Sequence, residues 1–313
     1  MRLLITGASG FVGAKVLELA LADGHEVAAP VRPQSPARRL TPFAERYQRL
    51  ALDLNDRAAL TAAVVSFRPD AIIHSAWSGV ANAARFDTSQ ISENIDAACA
   101  LVEAGAAAGC TAFIGTGSQG EYGAASTMLE NALPEPTTLY GAAKVATLYL
   151  TRQLAAQSGM RHAWLRLFST YGPDDNEGWL IPTLISQMLR GERPQTTLGT
   201  QFWDWLYIDD VARGLLAAAT TPGASGIFNL GSGEAVQVRK AVETIRDLAA
   251  PGMELVFGEI PFRPDQVMHM QANSERLRGV TGWAPHVPFA KGIAETVAWY
   301  RAHRQAKLRE RAA

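Results

Sequence analysis

Tyr140 and Lys144 are the residues whose types and spacing most directly indicate chemistry. They stand four positions apart in a segment that opens a predicted helix, Leu139 to Gln157, so both side chains lie on one helix face. A free tyrosine titrates at about pH 10, and a lysine ammonium together with a bound cation beside it would favour the phenolate and lower that pKa. A tyrosine with a lowered pKa can donate and accept protons near neutral pH. The pair therefore predicts proton transfer at an oxygen atom.

Ser118 is the third candidate for this chemistry. It follows a predicted strand that begins at Thr111, in the segment Gly115-Thr-Gly-Ser118, and its hydroxyl can hydrogen-bond a reacting carbonyl oxygen. A tyrosine and a lysine four positions apart are also common in helices that have only a structural role. A catalytic role therefore requires that the surrounding strands and helices bring all three side chains together.

The first thirteen residues predict a strand, a glycine turn and the start of a helix. Residues 3–5 form a short apolar run, and Gly7, Gly10 and Gly13 follow with the spacing G-x-x-G-x-x-G. This arrangement turns the chain sharply, lets a pyrophosphate approach the backbone and lets the helix lie close to the strand. The alternative is a tight turn with no ligand. The predicted dinucleotide contacts here are Gly7, Ser9, Gly10, Phe11, Val12 and Gly13.

The end of the second predicted strand, Glu26–Val31, indicates which dinucleotide is preferred. An acid at this point hydrogen-bonds the 2′-hydroxyl of NAD, whereas an arginine nearby accommodates the 2′-phosphate of NADP. The chain has Arg32 there and no acid, and Arg38 and Arg39 follow. The sequence therefore favours NADP(H), with NAD(H) possible. Alternatively, Arg32 is a solvated loop residue.

Two further strand ends supply candidates for the cofactor site. Asp53 and Leu54 follow the third predicted strand, Gln48–Leu52. Asp53 is interpreted as an acceptor for the adenine amino group, as the N-cap of the helix that follows, or as both. Ala76 ends the fourth predicted strand, Ala71–Ala76, and ligands of such sheets bind at the carboxyl ends of strands.

The alternation βαβαβαβ predicts an α/β fold, with a Rossmann-like doubly wound parallel sheet and a smaller C-terminal substrate-binding lobe. We expect residues 1–168 to form the dinucleotide-binding domain and residues 169–313 to form mainly the lobe, with segments near 203–220 returning to the first domain. A long helix is expected over Ile91–Ala108. Asp209 and Asp210 are expected to cap a helix over Val211–Ala219.

Composition limits the classes of partner. The chain has 313 residues, 48% of them hydrophobic, and a formal net charge of −1, which argues against a nucleic-acid partner. Cys99 and Cys110 are too few for a disulfide framework and show no metal-ligand spacing, so no metal is expected. No signal-peptide pattern is present, and no apolar run approaches the roughly 18 residues of a membrane span. The expected setting is cytoplasmic.

Together these motifs resemble the extended short-chain dehydrogenase/reductase family, in its nucleotide-sugar epimerase/dehydratase branch. The resemblance implies that hydride passes between a nicotinamide and a sugar carbon while Tyr140 exchanges a proton with the sugar oxygen, assisted by Lys144 and Ser118. Lys144 would also hold the nicotinamide ribose. A homodimer is implied, packed through the Tyr140 helix and the helix over Ile91–Ala108. The matching segments run in the family's order: the T-G-x-x-G-x-x-G start, Asp53-Leu54, Ser118 to Gly123, Tyr140-x-x-x-Lys144, Arg166 to Pro173, Trp203 to Asp210, Phe228 to Gly233 and Gly282 to Pro285.

Departures from the family narrow the expected reaction. Sugar 4,6-dehydratases carry an Asp-Glu pair directly after the Ser/Thr, whereas this chain has Gln119 and Gly120, so dehydration is not expected. Members that reduce after epimerising at two carbons use a cysteine in this loop, which has none. Gln119 and Glu121 are candidates for substrate contact. Glu121 is interpreted equally as a hydrogen-bond partner of the substrate or as a solvated loop charge.

Three functions remain open on the sequence. An NADP(H)-dependent reductase of a nucleotide-linked 4-keto-6-deoxysugar is favoured by Arg32. An NAD-retaining nucleotide-sugar 4-epimerase is the second. A non-catalytic dinucleotide-binding regulator is the third, and the presence of Ser118, Tyr140 and Lys144 argues against it.

The resemblance also supplies substrate-binding candidates after residue 168. Ser169 stands where the family commonly has an asparagine that contacts substrate phosphates, and a serine donates only one hydrogen bond. Trp203 replaces an arginine of the family's diphosphate site, and Arg263 fits the other arginine position. Alternatively, Arg263 pairs with an acid such as Asp265. Trp179 and Trp203 stack on a base or sugar face, or they pack the lobe interface.

Overall fold

The N-terminal strand is a central strand of a parallel sheet in a computed structural model, which describes residues 1–80, 82–123, 128–263 and 266–312. The strands are β1 (Arg2–Thr6), β2 (Glu26–Val31), β3 (Gln48–Ala51), β4 (Ala71–His74), β5 (Ala112–Ser118), β6 (Arg161–Leu167), β7 (Ser169–Tyr171), β8 (Phe202–Tyr207), β9 (Gly226–Leu230), β10 (Ala235–Gln237) and β11 (His269–Met270). The helices are α1 (Phe11–Ala22), α2 (Arg57–Phe67), α3 (Asp96–Ala107), α4 (Leu139–Gln157), α5 (Leu180–Leu189), α6 (Ile208–Thr220), α7 (Val238–Ala249), α8 (Glu275–Thr281) and α9 (Phe289–Ala312).

The chain divides into two units. The first unit comprises Met1–Leu167, Val211–Leu230 and Asn273–Ala284, and the second comprises Phe168–Asp210, Gly231–Ala272 and Pro285–Ala313. The first unit therefore contains the glycine turn, Ser118, Tyr140 and Lys144. The second contains the candidates Ser169, Trp179, Trp203 and Arg263.

The sheet of the first unit has the strand order β3-β2-β1-β4-β5-β6-β9, and neighbouring strands are parallel throughout. The order reverses between β1 and β4, which is the arrangement of a doubly wound sheet. The predicted fold class is therefore confirmed. Because helices cover such sheets, the central strands β1, β4 and β5 are buried almost throughout, whereas the edge strand β3 is mostly exposed. Leu4, Ile72 and Phe113 pack in one core with Phe67 of α2 and Leu101 of α3.

The segment Ile91–Ala108 differs from the single long helix that the sequence predicts. Residues Ile91–Ile95 form a π-helical turn, and α3 follows from Asp96 to Ala107. The buried Asn94 explains the irregular turn, because its Oδ1 accepts from the backbone N of Ser78 at 2.7 Å and its Nδ2 donates to the Ser78 carbonyl at 3.2 Å. Such turns inside helices are frequent at functional sites.

The second unit is organised around β8. This strand pairs parallel with β7 and β11 and antiparallel with β10. Its fully buried Asp204 accepts hydrogen bonds from Ser232, Gly233 and Ala272, which joins the loops after β9 and β11 to the strand.

The acids at the start of α6 do not cap it. The helix begins at Ile208, so Asp209 and Asp210 lie in its first turn, and the predicted capping role is wrong. Asp210 is buried and accepts from the backbone N of Val287 at 2.9 Å. Acids in a first helical turn still interact favourably with the helix dipole.

The structure also shows the state of the two cysteines, the grouping of possible metal ligands and the character of the longer helices. Cys99 and Cys110 are free thiols. No group of three or more His, Cys, Asp and Glu residues in the described ranges is arranged to hold a metal ion. None of the described helices has the length and apolar character needed to cross a membrane.

Gly13→Ala is expected to destabilise the first unit by about 1–3 kcal/mol, because overpacking a closely packed backbone forces it to shift. A Cβ on Gly13 would lie 2.3 Å from the carbonyl oxygen of Gly7 and 2.6 Å from its carbonyl carbon. Both are backbone atoms, so no rotamer change relieves the clash. Urea unfolding, together with dinucleotide titration, measures the effect.

Gly279→Ala is the matched control, because Gly279 also lies inside a helix and a Cβ there would meet none of the described atoms within 4 Å. It is expected to leave stability unchanged or to raise it by up to about 1 kcal/mol. Equal effects of the two substitutions would contradict the close-approach role of Gly13.

Candidate active site

The glycine turn has the geometry that a dinucleotide requires. Gly7 has a φ of +69°, and a Cβ on it would lie 2.6 Å from the backbone N of Ala76, so this turn and the end of β4 are adjacent. Gly10 donates to the Gly7 carbonyl at 2.9 Å and is the N-cap of α1, where no side chain caps the helix. The backbone N–H groups of the first turn, from Phe11 onward, fit a pyrophosphate. Ser9 and Val12 are partly exposed at this turn.

The end of β2 is followed by the exposed Arg32, directly after the buried Val31. A second arginine lies closer to the glycine turn, since Nη1 of Arg39 is 3.5 Å from the carbonyl oxygen of Ser9. In the sequence, Arg39 is only an additional arginine that follows Arg32. The structure places it against a residue of the candidate phosphate site.

Asp53 does not cap α2. Its Oδ1 accepts from the backbone N of Asn55 at 3.0 Å, whereas Asp56 is the N-cap and accepts from Ala59 at 3.0 Å. The capping interpretation of Asp53 is wrong because the helix begins at Arg57, and Asp56 is the residue directly before it. The adenine contact of Asp53 stays a prediction, as does that of Leu54, which packs against the core.

Ser118, Tyr140 and Lys144 are brought together in the first unit. Ser118 is the last residue of β5, and Tyr140 is the second residue of α4. A Cβ built on Gly120 would lie 3.4 Å from Oγ of Ser118 and 3.6 Å from Cε1 of Tyr140, so the two side chains face each other across this glycine. Lys144 is buried one helical turn further on, and its Nζ donates to the Thr116 carbonyl at 2.7 Å.

Burial dominates the pKa values of Tyr140 and Lys144 in the chain alone. Burial raises the pKa of Tyr140, although Ser118 as a hydrogen-bond partner and the charge of Arg85 oppose this shift. Burial lowers the pKa of Lys144 to about 7, against the opposing effect of Glu121. In the chain alone, burial outweighs the nearby charges on Tyr140. The lowered pKa that the sequence predicts depends on a bound cation as well as on Lys144, so it stays a prediction. A nicotinamide cation beside the phenol would act in the lowering direction.

Glu121 is buried, and both of its carboxylate oxygens are bound inside the protein. Oε1 accepts from the backbone N of Ser118 at 2.8 Å and from Nε1 of Trp164 at 2.9 Å, and Oε2 accepts from Nε of Arg166 at 2.7 Å. Arg166 and Glu121 are 1% and 0% exposed. The interpretation of Glu121 as a solvated loop charge is wrong, and the same burial leaves no surface for the predicted substrate contact.

Glu121 instead fixes the position of Ser118. The hydroxyl of Ser118 accepts from the backbone N of Gly120 at 3.1 Å while Glu121 binds the Ser118 backbone, which is the reciprocal arrangement of a capping box. The hydroxyl of Ser118 keeps one donor proton, which can serve the oxygen of Tyr140 or a ligand oxygen. The pattern Ser-x-x-Glu is visible in the sequence and was the signal for this role. Gln119, between them, is partly exposed, and its substrate contact stays a prediction.

The segment after β4 contributes side chains that the sequence did not single out. Nζ of Lys144 lies 3.6 Å from the ring centroid of Trp77, and Trp77 meets Tyr140 edge to face with centroids 6.0 Å apart. Cζ of Arg85 lies 5.1 Å from the centroid of the Tyr140 ring. The fully buried Gln90 holds this segment, since its Oε1 accepts from Nε1 of Trp77 at 2.8 Å and its Nε2 donates to backbone carbonyls of the same segment.

The other substrate-binding candidates lie in the second unit. Ser169 begins β7 and pairs with Trp205 of β8, and Trp179 is 39% exposed directly before α5. Trp203 donates from Nε1 to the Val267 carbonyl at 3.0 Å and packs edge to face against Trp205, which favours the packing interpretation for this pair. Arg263 is exposed. Its suggested partner Asp265 lies outside the described residues.

Comparisons with known proteins agree on one family. The sequence profile of the NAD dependent epimerase/dehydratase family matches residues 3–231. A dTDP-glucose 4,6-dehydratase of Streptomyces griseus is 26% identical over 96% of this chain and 94% of its own length, and a UDP-glucose 4-epimerase of Corynebacterium glutamicum is 28% identical over 96% and 95%. The structure of the Thermus thermophilus UDP-glucose 4-epimerase in complex with NAD has a TM-score of 0.86 and 25% identity, covering 96% of this chain and 99% of that one.

The family match covers most of the first unit and agrees with the resemblance that the sequence motifs indicated. The relatives and structural neighbours are enzymes that act on nucleotide-linked sugars, which removes the alternative of a non-catalytic regulator. The chain is therefore an enzyme that belongs to the NAD dependent epimerase/dehydratase family, one of the extended short-chain dehydrogenases/reductases.

Proposed function

We propose that the enzyme is a nucleotide-sugar 4-epimerase that uses a nicotinamide dinucleotide without net consumption. The observation that carries the proposal is the meeting of Ser118 and Tyr140 across Gly120, with Lys144 one turn further along α4. The UDP-glucose 4-epimerase relative and the NAD-bound epimerase structure support this reaction over a one-way reduction.

In the proposed reaction, one proton leaves the sugar in the first half and returns to it in the second half. Tyr140 takes the proton of the sugar 4-hydroxyl as the ring carbon is oxidised and returns it when the carbon is reduced on its other face. Ser118 donates a hydrogen bond to the same oxygen, and Lys144 holds the ribose of the dinucleotide and adds positive charge. The bound dinucleotide supplies the hydride acceptor and donor.

The surroundings of Ser118 support epimerisation over dehydration. Elimination of water needs an acid and a base at the sugar, and the positions directly after Ser118 carry Gln119 and Gly120. The nearby carboxylate of Glu121 is bound to Arg166, Trp164 and the Ser118 backbone. Because Glu121 is also fully buried, it has no exposed oxygen with which to transfer a proton to the sugar.

A reductase of a nucleotide-linked 4-keto-6-deoxysugar is the second candidate. Arg32 after Val31, with no acid at this strand end, favours NADP(H), which reductases usually consume. Arg39, 3.5 Å from the Ser9 carbonyl, adds positive charge beside the glycine turn. The reductase and the preference for NADP(H) stay predictions.

The remaining site assignments belong to this proposal. The glycine turn, Ala76 and the ends of β2 and β3 would hold the dinucleotide. Trp179, Ser169 and Arg263 of the second unit would contact the nucleotide-sugar, with Arg263 on its diphosphate. A homodimer packed through α3 and α4 and a cytoplasmic setting also stay predictions.

The test begins with the dinucleotide that copurifies with the protein. The protein is denatured, released dinucleotide is identified by mass spectrometry, and the native protein is then incubated with UDP- and dTDP-linked sugars while the configuration at C4 is followed by NMR. Retained NAD with reversible inversion at C4 is expected. An empty protein that binds NADPH more than tenfold tighter than NADH, a difference above about 1.4 kcal/mol, would instead identify the reductase. Failure to bind either dinucleotide would contradict both.

A further inference from the structure

Arg85 places a guanidinium group at the catalytic tyrosine. It lies in the 3-10 helix Asn82–Phe86, and its Cζ is 5.1 Å from the ring centroid of Tyr140. A Cβ built on Gly120 would lie 3.3 Å from Nη2 of Arg85, beside the 3.4 Å to Oγ of Ser118 and the 3.6 Å to the Tyr140 ring. The guanidinium of Arg85, the hydroxyl of Ser118 and the ring of Tyr140 therefore surround the position that a Cβ on Gly120 would occupy. Because residue 120 is a glycine, this position is empty.

This guanidinium has a nitrogen that lacks a polar partner among the residues that the structure describes. Its Nε is buried and makes no hydrogen bond with a described residue. Arg85 as a whole is partly exposed, but its Nε has lost its hydration without gaining an acceptor, which is costly. The packing against the tyrosine ring offsets only part of this cost.

The other charges near the tyrosine leave Arg85 uncompensated. Glu121 is paired with Arg166 at 2.7 Å, and Lys144 donates to the Thr116 carbonyl and faces the Trp77 ring. A ligand with a negative group would supply the acceptor that Arg85 lacks.

We infer that Arg85 binds a carboxylate carried by the sugar, and that the preferred substrate is a nucleotide-linked uronic acid. The inference rests on the proposed function, which places the reacting sugar carbon at Ser118 and Tyr140. A guanidinium presents parallel N–H groups that match the two oxygens of a carboxylate. A neutral sugar hydroxyl can be recognised by an uncharged donor or acceptor. It would not neutralise the charge of Arg85, so binding to Arg85 would stabilise it little.

The position of Arg85 favours the sugar over the diphosphate as the source of the anion. Arg85 borders the two residues that act on the sugar oxygen in the proposed mechanism. The pyrophosphate of the dinucleotide is assigned to the glycine turn. A carboxylate on the ring itself is the anion that would reach Arg85 together with Ser118.

The test measures dissociation constants for two ligands that differ in one group. UDP-glucuronate and UDP-glucose, and the corresponding dTDP pair, are titrated calorimetrically into the NAD-loaded protein. The wild-type protein is expected to bind the glucuronate about tenfold or more tightly. Arg85→Gln should remove this preference by weakening the glucuronate and leaving the glucose ligand within about threefold. Arg85→Lys keeps the charge without the planar fork and should recover part of the preference.

Arg46→Gln is the matched control, since Arg46 is an exposed arginine of the same unit, and it should leave both constants unchanged. Equal binding of glucose and glucuronate by the wild-type protein would overturn the inference while leaving the proposed function intact. Equal weakening of both ligands by Arg85→Gln would also overturn it and would assign Arg85 to the diphosphate. If none of the four ligands binds, the proposed function fails and the inference fails with it.

Discussion

Replacement of Tyr140 by phenylalanine is expected to lower turnover by about 10²- to 10⁴-fold, the usual contribution of a positioned general acid–base. The substitution removes one oxygen and keeps the ring that packs between Trp77 and Arg85. Dinucleotide binding should change little, because the glycine turn holds the pyrophosphate independently of the phenol. Steady-state rates on the substrate found in the C4 assay, with dinucleotide titration, measure the two effects separately.

Tyr149→Phe is the control for this experiment. Tyr149 lies on the same helix, is 41% exposed and packs against Arg152, with Cζ 4.8 Å from the ring centroid. Its substitution removes the same atom from α4 without touching Ser118 or Lys144, so turnover should stay within about twofold, since surface substitutions are usually nearly neutral. Turnover of Tyr140→Phe near the wild-type value would remove Tyr140 from the mechanism and would require another proton donor at the sugar.

The parts of the fold that follow local patterns were predictable from the sequence. The bounds of β2 and α4 are those predicted, because strand-length apolar runs and helical periodicity are local properties that their neighbours reinforce. The strand, glycine turn and helix at the N-terminus follow from three glycines whose spacing has a steric cause. The position of β1 near the centre of the sheet follows from the same alternation, since successive parallel strands are joined by helical crossovers.

The parts that depend on distant partners were not predictable. Asn94 interrupts a helix because it hydrogen-bonds Ser78, which lies 16 positions earlier. Glu121 is buried because Arg166, 45 positions later, lies on the neighbouring strand β6. Arg85 reaches Tyr140 only because Gln90 folds the segment after β4 back on itself. None of these pairings has a periodic or compositional signal in a single sequence.

Arg166→Met is expected to lower the free energy of unfolding by about 3–5 kcal/mol, the cost of leaving one member of a buried ion pair unpaired. Glu121 has no exposed surface, so its charge cannot be hydrated when the guanidinium is removed. The change would also release the Ser118 backbone that Glu121 holds at 2.8 Å. Urea unfolding followed by tryptophan fluorescence reports on it, because Trp164 is bonded to the same carboxylate.

Arg57→Met is the control on the surface. Arg57 pairs with Asp96 at 2.5 Å and with Glu103 at 2.9 Å, and all three side chains are about half exposed. Water can replace these contacts, so the expected loss of stability is small compared with that of Arg166→Met. A similar loss for Arg166→Met would contradict the cost assigned to the buried pair.

The double variant Glu121→Val with Arg166→Met separates charge from packing. Removing both charges leaves no unpaired ion, so most of the stability lost in Arg166→Met should return, as replacement of buried ion pairs by apolar residues is often neutral or stabilising. The buried Nε1 of Trp164 and the Ser118 backbone N would still lack their acceptor, which limits the recovery by about 1–3 kcal/mol. A double variant that is stable but slow in turnover would assign to Glu121 the positioning of Ser118, because the pair would then be dispensable for folding and required for catalysis.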